Sequence, residues 1–426
     1  MELGEFAELK RGYDLPKRER EIGIIPLVSS SGTTDLHSVA KVKGPGVITG
    51  RYGTIGQVFY VEEDFWPLNT TLYVQNFKNN NPLFVYYLLK TISYEDYSDK
   101  AAVPGINRNH LHKAKIRVPV NPSHQQEIAE KLWVLDSKIE LNRQTNQTLE
   151  QIAQAIFKSW FVDFEPTRAK IAALEAGGSE DDALLAAMQT IAGSALFATD
   201  AADADAQTQL ARLQTEHPEQ YATLRATAEL FPSAMQESEL GEIPEGWSVC
   251  QVENILERLK PVKRYTKKEV SSTGLVPVFE QGADILLGFH NEKAGFTADA
   301  KNPAFVFGDH TCITHLSCQD FDISQNVIPL RGRNRSTIWV YYAIQGKQAF
   351  QEYRRHWSEL IVKPVIYPTR DICERYSETV LRMICFKESL ERENRSLAEL
   401  RDTLLPKLLS GEIDVSALAD NTEANA

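Results

Sequence analysis

The chain has 426 residues, 42% of them apolar, which suits two to three domains with cores of their own and excludes a disulfide-stapled mini-protein. Its formal charge of −12 argues at first against a nucleic-acid partner. The excess is local, however: residues 166–240 hold 4 Lys+Arg against 12 Asp+Glu, while residues 1–120 hold 15 against 13 and residues 241–380 hold 17 against 17.

The N-terminus MELGEFAELKRG carries no signal-peptide pattern, and no run of about eighteen apolar residues offers a membrane span. A cytoplasmic protein without a membrane partner is expected. Cysteines at 250, 312, 318, 373 and 385 form no CxxC pair and read as reduced thiols.

In chain order, residues 1–122 read as a first globular domain whose basic residues gather in short loops. These are KRGYDLPKRER (10–20), with Lys17, Arg18 and Arg20; GRYGTIG (50–56), with Arg51 and Tyr52; and GINRNH (105–110), with Asn107, Arg108 and Asn109. Basic groups among Gly, Asn and aromatic residues suit phosphate positioning combined with base-edge reading. Arg51 is the candidate to enter a groove, because Gly50 and Gly53 allow close backbone approach and a guanidinium grips guanine or phosphate with two bonds. Asn107 and Asn109 match adenine edges. Taken singly, each loop also reads as ordinary solvated surface.

KIRVPV (115–120) reads as a short strand, and Asn121-Pro122 as the start of a helix spanning 123–165. From about Gln125, Ile128, Leu132, Leu135, Ile139, Asn142, Asn146, Leu149, Ile152 and Ile156 alternate steps of three and four, the mark of a coiled-coil seam. Its length corresponds to a rod of roughly 50 Å. Leu135, Ile139 and Leu149 are its apolar packing members; Asn142 and Asn146 either fix register or mark a solvated turn. Residues 166–240, rich in Ala and acidic side chains, read as a helical insertion serving as a linker.

LGEIPEGW (240–247) opens a second globular domain over 241–375. Its basic loops are KPVKRYTKK (260–268), with Lys263, Arg264, Tyr265 and Lys267; FGDHTC (307–312), with His310; and YRRHW (353–357), with Arg354, Arg355 and His356. Residues 65–97 and 321–353 align almost without gaps and share VYY at 85–87 and 340–342, an internal repeat. A second helix covers 376–415, with Leu390, Leu397 and Leu404 seven apart and Leu400 and Leu408 as further members; Pro406 kinks or ends it and Gly411 stops it. Residues 416–426 read as a flexible tail.

Catalytic signatures are absent from the sequence. There is no GxxxxGK[ST] loop, no GxSxG elbow and no glycine-rich cofactor turn after an early strand. NPLF (81–84) and NPAF (302–305) lack the second proline of an adenine-gripping Asn-Pro-Pro-Phe tetrapeptide. Asp309, His310, Cys312 and His315 do not follow a zinc-ligand spacing and read as a polar loop.

The succession GRYGTIG, WPLNTTLYV, VPGINRN, the helix LDSKIELNRQTNQTLEQIAQAIFKSWFVDFEP, LGEIPEGW, FGDHTC, YRRHW and LRDTLLPKLLSGEI resembles the specificity subunit of type I restriction-modification enzymes. The resemblance covers the chain apart from the Ala-rich insertion. It implies an α+β fold with two globular target recognition domains separated by two long antiparallel coiled-coil helices in a pseudo-twofold repeat. Each domain would read one half of an asymmetric split site on double-stranded DNA. The helices would set the gap and dock two modification subunits, which hold S-adenosylmethionine and methylate adenine; restriction motor subunits, with ATP and Mg, would cleave. This chain would bind no cofactor or metal and catalyse nothing. A rival reading from another class is a coiled-coil scaffold that joins proteins without DNA; a free-standing nuclease or methyltransferase is a third, weakened by the missing cofactor turn.

Overall fold

The computed structural model describes residues 1–98, 105–196, 206–282, 284–352 and 354–413. The expected flexible tail, Val103 and Pro104 of VPGINRN, and Tyr353 of YRRHW lie outside them. The described chain divides into two compact units, one of residues 1–142 with 392 onward and one of residues 143–391.

The first unit begins with a helical turn, α1 (Leu3–Phe6), then strands β1 (Glu8–Arg11), β2 (Ile25–Ser29), β3 (Gly32–His37), β4 (Gly46–Gly50), β5 (Val58–Val61), β6 (Trp66–Pro67) and β7 (Thr71–Asn76). They form a four-stranded sheet in the order β1-β7-β4-β5 and a three-stranded sheet in the order β3-β2-β6, with β2 and β6 parallel. Helices α2 (Pro82–Lys90) and α3 (Arg108–Leu111) follow, then the 40-residue α4 (Pro122–Phe161). Both α2 and α4 start Asn-Pro for one reason. The Asn81 and Asn121 side chains accept backbone N–H groups of Phe84 and Ser123 at 3.0 and 2.9 Å, and proline sits where its missing N–H costs nothing.

Gln125, fully buried, ties the globule to α4: its amide nitrogen donates to Asn80 and to the Pro119 carbonyl, and its oxygen accepts from Asn81 N–H. One core joins Phe6, Leu9, Val47, Phe84 and Leu88 to Ile128 and Leu132 of α4 and to Leu405, Leu408 and Leu409 of the last helix, α12 (Arg370–Ser410). Within this unit the two helices run antiparallel. Asn142 donates to Glu393 and Asn394 at 2.8 and 2.9 Å, and Asp136 accepts from Arg401.

The second unit contains four helices of the Ala-rich segment, α5 (Glu165–Glu175), α6 (Glu180–Leu196), α7 (Ala206–Glu216) and α8 (Pro218–Glu229). A hairpin, β8 (Met235–Ser238) with β9 (Gly241–Pro244), follows, and β10 (Ser248–Gln251) pairs with β18 (Pro364–Tyr367). The first unit's plan then recurs: α9 (Val252–Ile255), β11 (Leu256–Arg258), β12 (Val276–Phe279), β13 (Leu286–His290), β14 (Ala304–Gly308), β15 (Thr314–Ser317), β16 (Asp322–Ile323), β17 (Val327–Gly332), α10 (Thr337–Ile344) and α11 (Trp357–Ile361). The sheet orders β11-β17-β14-β15 and β13-β12-β16 are those of the first unit, with β12 and β16 again parallel. Ala153, Ile156 and Trp160 of α4 share a core with Ile372, Tyr376, Val380 and Ile384 of α12, and Tyr376 donates to the Ala153 carbonyl at 3.0 Å.

Four local expectations are corrected. KIRVPV forms no strand: Lys115 alone bridges Glu2, because Pro119 and Pro122 remove the N–H groups a ladder needs. Pro406 does not end the last helix, which continues to Ser410 because burial of Leu405, Leu408 and Leu409 offsets the lost hydrogen bond; Gly411, at φ +74°, ends it. Leu400 is exposed, whereas Leu390 is buried and Leu135, Leu149, Leu397 and Leu404 are half-buried. The Ala-rich segment is more than a linker, since Ala187, Met188 and Ile191 of α6 pack in one core with Trp160 and Phe231.

The VYY repeat has a shared physical purpose. In the first unit the Tyr87 hydroxyl donates to Asp136 on α4 at 2.9 Å, and Asp136 also accepts from Arg401 on α12. In the second, Tyr342 approaches Glu150 on α4 at 3.5 Å, and Glu150 pairs with Lys387 on α12 at 2.8 Å. Burial first, then the neighbouring carboxylate, raises the pKa of both tyrosines, so each remains a donor. We expect Asp136→Ala to cost about 1–3 kcal/mol in urea unfolding, because it orphans the buried Tyr87 hydroxyl and leaves Arg401 paired with Asp402 alone, and Tyr87→Phe to cost less. Equal costs would show that the carboxylate does not organise the contact.

Candidate nucleic-acid interface

Arg51 follows the last residue of β4, and its backbone is fixed on both sides. Its N–H donates to the Thr70 carbonyl at 2.9 Å, and its carbonyl accepts from Ile106 N–H at 3.0 Å. That second bond draws the loop before α3 against the β4 end, so Arg51, Tyr52, Asn107, Arg108 and Asn109 line one groove of about 610 Å³. The Arg51 guanidinium lies 4.4 Å from the centre of the Tyr52 ring and donates to its hydroxyl at 3.3 Å, which holds it flat and leaves its other donors available. Asn107 is exposed, but its oxygen accepts from Asn109 N–H at 3.0 Å, so its amide nitrogen is the group that remains to donate.

Lys10 and Arg11 of β1 line the same groove. Within the 10–20 loop, the strand Glu8–Arg11, whose buried Leu9 precedes them, is the signal that separates these two from the rest. Lys17 and Arg20 line a neighbouring depression that shares Asp14 with the first. Lys17 and Arg18 are exposed; Arg20 instead reaches back to the Leu15 carbonyl and to Asp35 at 3.0 Å, a loop brace and not a free contact group. Gly50 accommodates the Thr54 carbonyl, which would lie 1.9 Å from a Cβ, so its small size serves turn closure instead of approach to a ligand.

The second unit differs at the equivalent place. β14 ends at Gly308 as β4 ends at Gly50, and the next residue is Asp309, whose carbonyl accepts from His356 N–H at 2.8 Å as Arg51 accepts from Ile106. Its carboxylate accepts from the N–H groups of His356 and Trp357 at 3.2 and 3.0 Å, holding the start of α11. His356 is fully buried among Gln348, Gln351 and Glu359, which corrects its assignment as a contact residue: it closes the loop from inside. Arg354 and Arg355 flank it with side chains 63% and 72% exposed, and His310 Nδ1 lies 3.1 Å from the Arg354 carbonyl.

In the other basic loop, Tyr265 is also buried. It stacks on His290 at 4.3 Å between ring centres and donates to Glu292 at 2.9 Å. Arg264 donates to the carbonyls of Ser324 and Val327 at 2.8 and 2.9 Å. Both are structural: Tyr265 ties the loop to the end of β13, and Arg264 ties it to the turn after β16 and the start of β17. Lys263, over the Tyr265 ring at 4.1 Å, and Lys267 are exposed. We expect His356→Ala to lower stability by about 1–3 kcal/mol, because it empties a buried site and strands its partners, whereas Arg355→Ala shifts it by less than about 0.5 kcal/mol. Urea unfolding of the two variants compares them; equal small shifts would refute the buried role.

Comparison with known proteins agrees with this geometry. The family described as "Type I restriction modification DNA specificity domain" matches residues 1–151. The Type I restriction enzyme HindI specificity subunit of Haemophilus influenzae is 27% identical over 369 residues, 78% of this chain and 77% of that protein. The Type I restriction enzyme MjaIX specificity subunit of Methanocaldococcus jannaschii is 35% identical over 134 residues, 29% of each chain. The crystal structure of a type I restriction-modification system S subunit from M. genitalium shares the fold, with a TM-score of 0.53 and 15% identity over 96% of this chain and 95% of that one. Residues 1–151 thus match the type I restriction-modification DNA specificity domain family, and the likeness to type I specificity subunits extends over most of the chain.

Proposed function

We propose that this chain is the sequence-reading, non-catalytic subunit of a type I restriction-modification complex and works on double-stranded DNA in the cytoplasm. Each unit contacts one half of an asymmetric split site. The observation that carries this is a single strand plan used twice, with Arg51 and Tyr52 in the groove at the β4 end and the exposed Arg354 and Arg355 beside the equivalent β14 end. A shared scaffold with different contact chemistry suits two different half-sites.

Helices α4 and α12, of 40 and 41 residues, each contribute to both units and are the elements that set the unread gap. At about 1.5 Å per residue each is roughly 60 Å long, more than one 34 Å turn of DNA. Two modification subunits dock along them in this reading. Those subunits hold S-adenosylmethionine and methylate adenine; restriction motor subunits supply ATP- and Mg-dependent cleavage. Among the described residues no helix is long and apolar enough to cross a membrane.

Co-expression with modification subunits, followed by mapping of adenine methylation, should yield one split motif with a fixed gap that vanishes when this chain is omitted. Seven residues added to both long helices near Asn142 and Arg392 should widen the gap by about 3 base pairs and leave both half-sites unchanged. A complex that assembles without any methylated motif would favour the scaffold reading. Arg51→Ala should weaken duplex binding by the complex and reduce its salt slope by about 1 in titrations across NaCl concentrations; an unchanged slope would remove Arg51 from the interface.

A further inference from the structure

Two short segments repeat outside the basic loops: Gly23-Ile24-Ile25-Pro26 enters β2 and Gly274-Leu275-Val276-Pro277 enters β12. Each places a large aliphatic side chain almost wholly in water, Ile24 at 87% exposure and Leu275 at 84%. Water-facing aliphatics on loops are ordinary when single. These two stand at the same position of the same fold, on backbone that is held in place.

The holding device is also repeated. Ile25 pairs with His37 across β2 and β3, and Val276 pairs with His290 across β12 and β13. A Cβ on Gly23 would lie 2.2 Å from the His37 carbonyl oxygen, and one on Gly274 would lie 2.8 Å from the Phe289 Cβ and 3.1 Å from the His290 carbonyl oxygen. The chain is therefore pressed against the neighbouring strand, and only glycine fits. Nδ1 of each histidine then takes a backbone N–H at 3.1 Å, from Glu21 in one unit and Glu292 in the other. Asn291 further accepts the Leu275 N–H at 3.0 Å. Neither tip can fold inward to hide its side chain.

We propose that Ile24 and Leu275 are base-contacting residues, each meeting the C5-methyl of a thymine in the major groove of one half-site. This rests on the sequence-reading function above and adds a specificity residue to each unit. The neighbouring charge fits DNA. Lys17 and Arg18 stand exposed ahead of Ile24, and Lys260, Lys267 and Lys268 ahead of Leu275; of the intervening acids, Glu19 and Glu269 are ion-paired to Arg18 and Lys263, and Glu21 accepts from the Ser38 hydroxyl. An apolar tip that follows exposed cations in the chain matches thymine, which offers the one apolar group on the major-groove edges of the bases. Ser30, at the far end of β2, abuts the glycines around Arg51; six strand residues put the tip about 20 Å from that end, within reach of one 34 Å duplex turn.

The test uses the complex assembled with its modification subunits and a duplex bearing the mapped split site. Thymines are replaced by deoxyuridine one at a time, which removes only the methyl group. Wild-type complex should lose roughly three- to tenfold affinity at one position in each half-site. Ile24→Ser should abolish that sensitivity in one half-site and Leu275→Ser in the other, with salt slopes unchanged. Uniform indifference to deoxyuridine, or serine variants that keep the wild-type profile, would overturn the proposal. So would serine variants that fail to assemble, since the tips would then belong to a protein interface. Wild-type complex that binds no split site at all would instead refute the sequence-reading function on which the proposal stands.

Discussion

A tyrosine hydroxyl buried against a carboxylate is the contact on which each unit is built. Asp136 receives Tyr87 from the globule and Arg401 from the last helix; Glu150 receives Tyr342 and Lys387 in the same way. Three elements meet at one acceptor, so loss of that carboxylate strands the tyrosine hydroxyl buried against it. For Lys387, burial works against the charged form, yet the Glu150 carboxylate holds its pKa above the ordinary value. Apolar packing around these sites sets how tightly the elements close; the polar trio sets which residues face each other.

This division of labour explains why the surfaces can differ while the frame repeats. The sheet orders recur, and groups that hold the frame are buried: Gln125 in one unit, His356 and Asp309 in the other. Loop ends outside that frame carry Arg51 in one unit and the exposed pair Arg354 and Arg355 in the other. Change at such positions leaves the core untouched.

Sequence reasoning reached the parts governed by periodicity and repetition. The three-four spacing from Ile128 to Ile156 and the match of 65–97 to 321–353 made the helices and the doubled plan legible. What it misjudged was the direction of polar side chains. Arg20, Arg264, Tyr265 and His356 sit in basic loops and look like contact residues, but each turns inward to a carbonyl or carboxylate, supplied from within the same loop for Arg20 and His356 and from another element for Arg264 and Tyr265. Composition reports the charge of a loop; it does not report which of its members the loop spends on its own closure. KIRVPV failed for a related reason, because its alternation resembles a strand while Pro119 within it and Pro122 just beyond it leave too few donors to join one.

The first unit's core also bears on how the chain is made. Leu132 meets Leu405, Leu408 and Leu409, contacts that join positions more than two hundred and fifty residues apart. A ribosome adding about 5–20 residues each second leaves on the order of tens of seconds between the emergence of the two partners. During that interval the nascent first unit carries an uncovered strip along α4, while the second unit, whose residues 143–391 are contiguous, is free to close first. Vectorial synthesis thus inverts the expected order: the globule that starts the chain is the last to be finished, and its unfinished face is what a chaperone would meet.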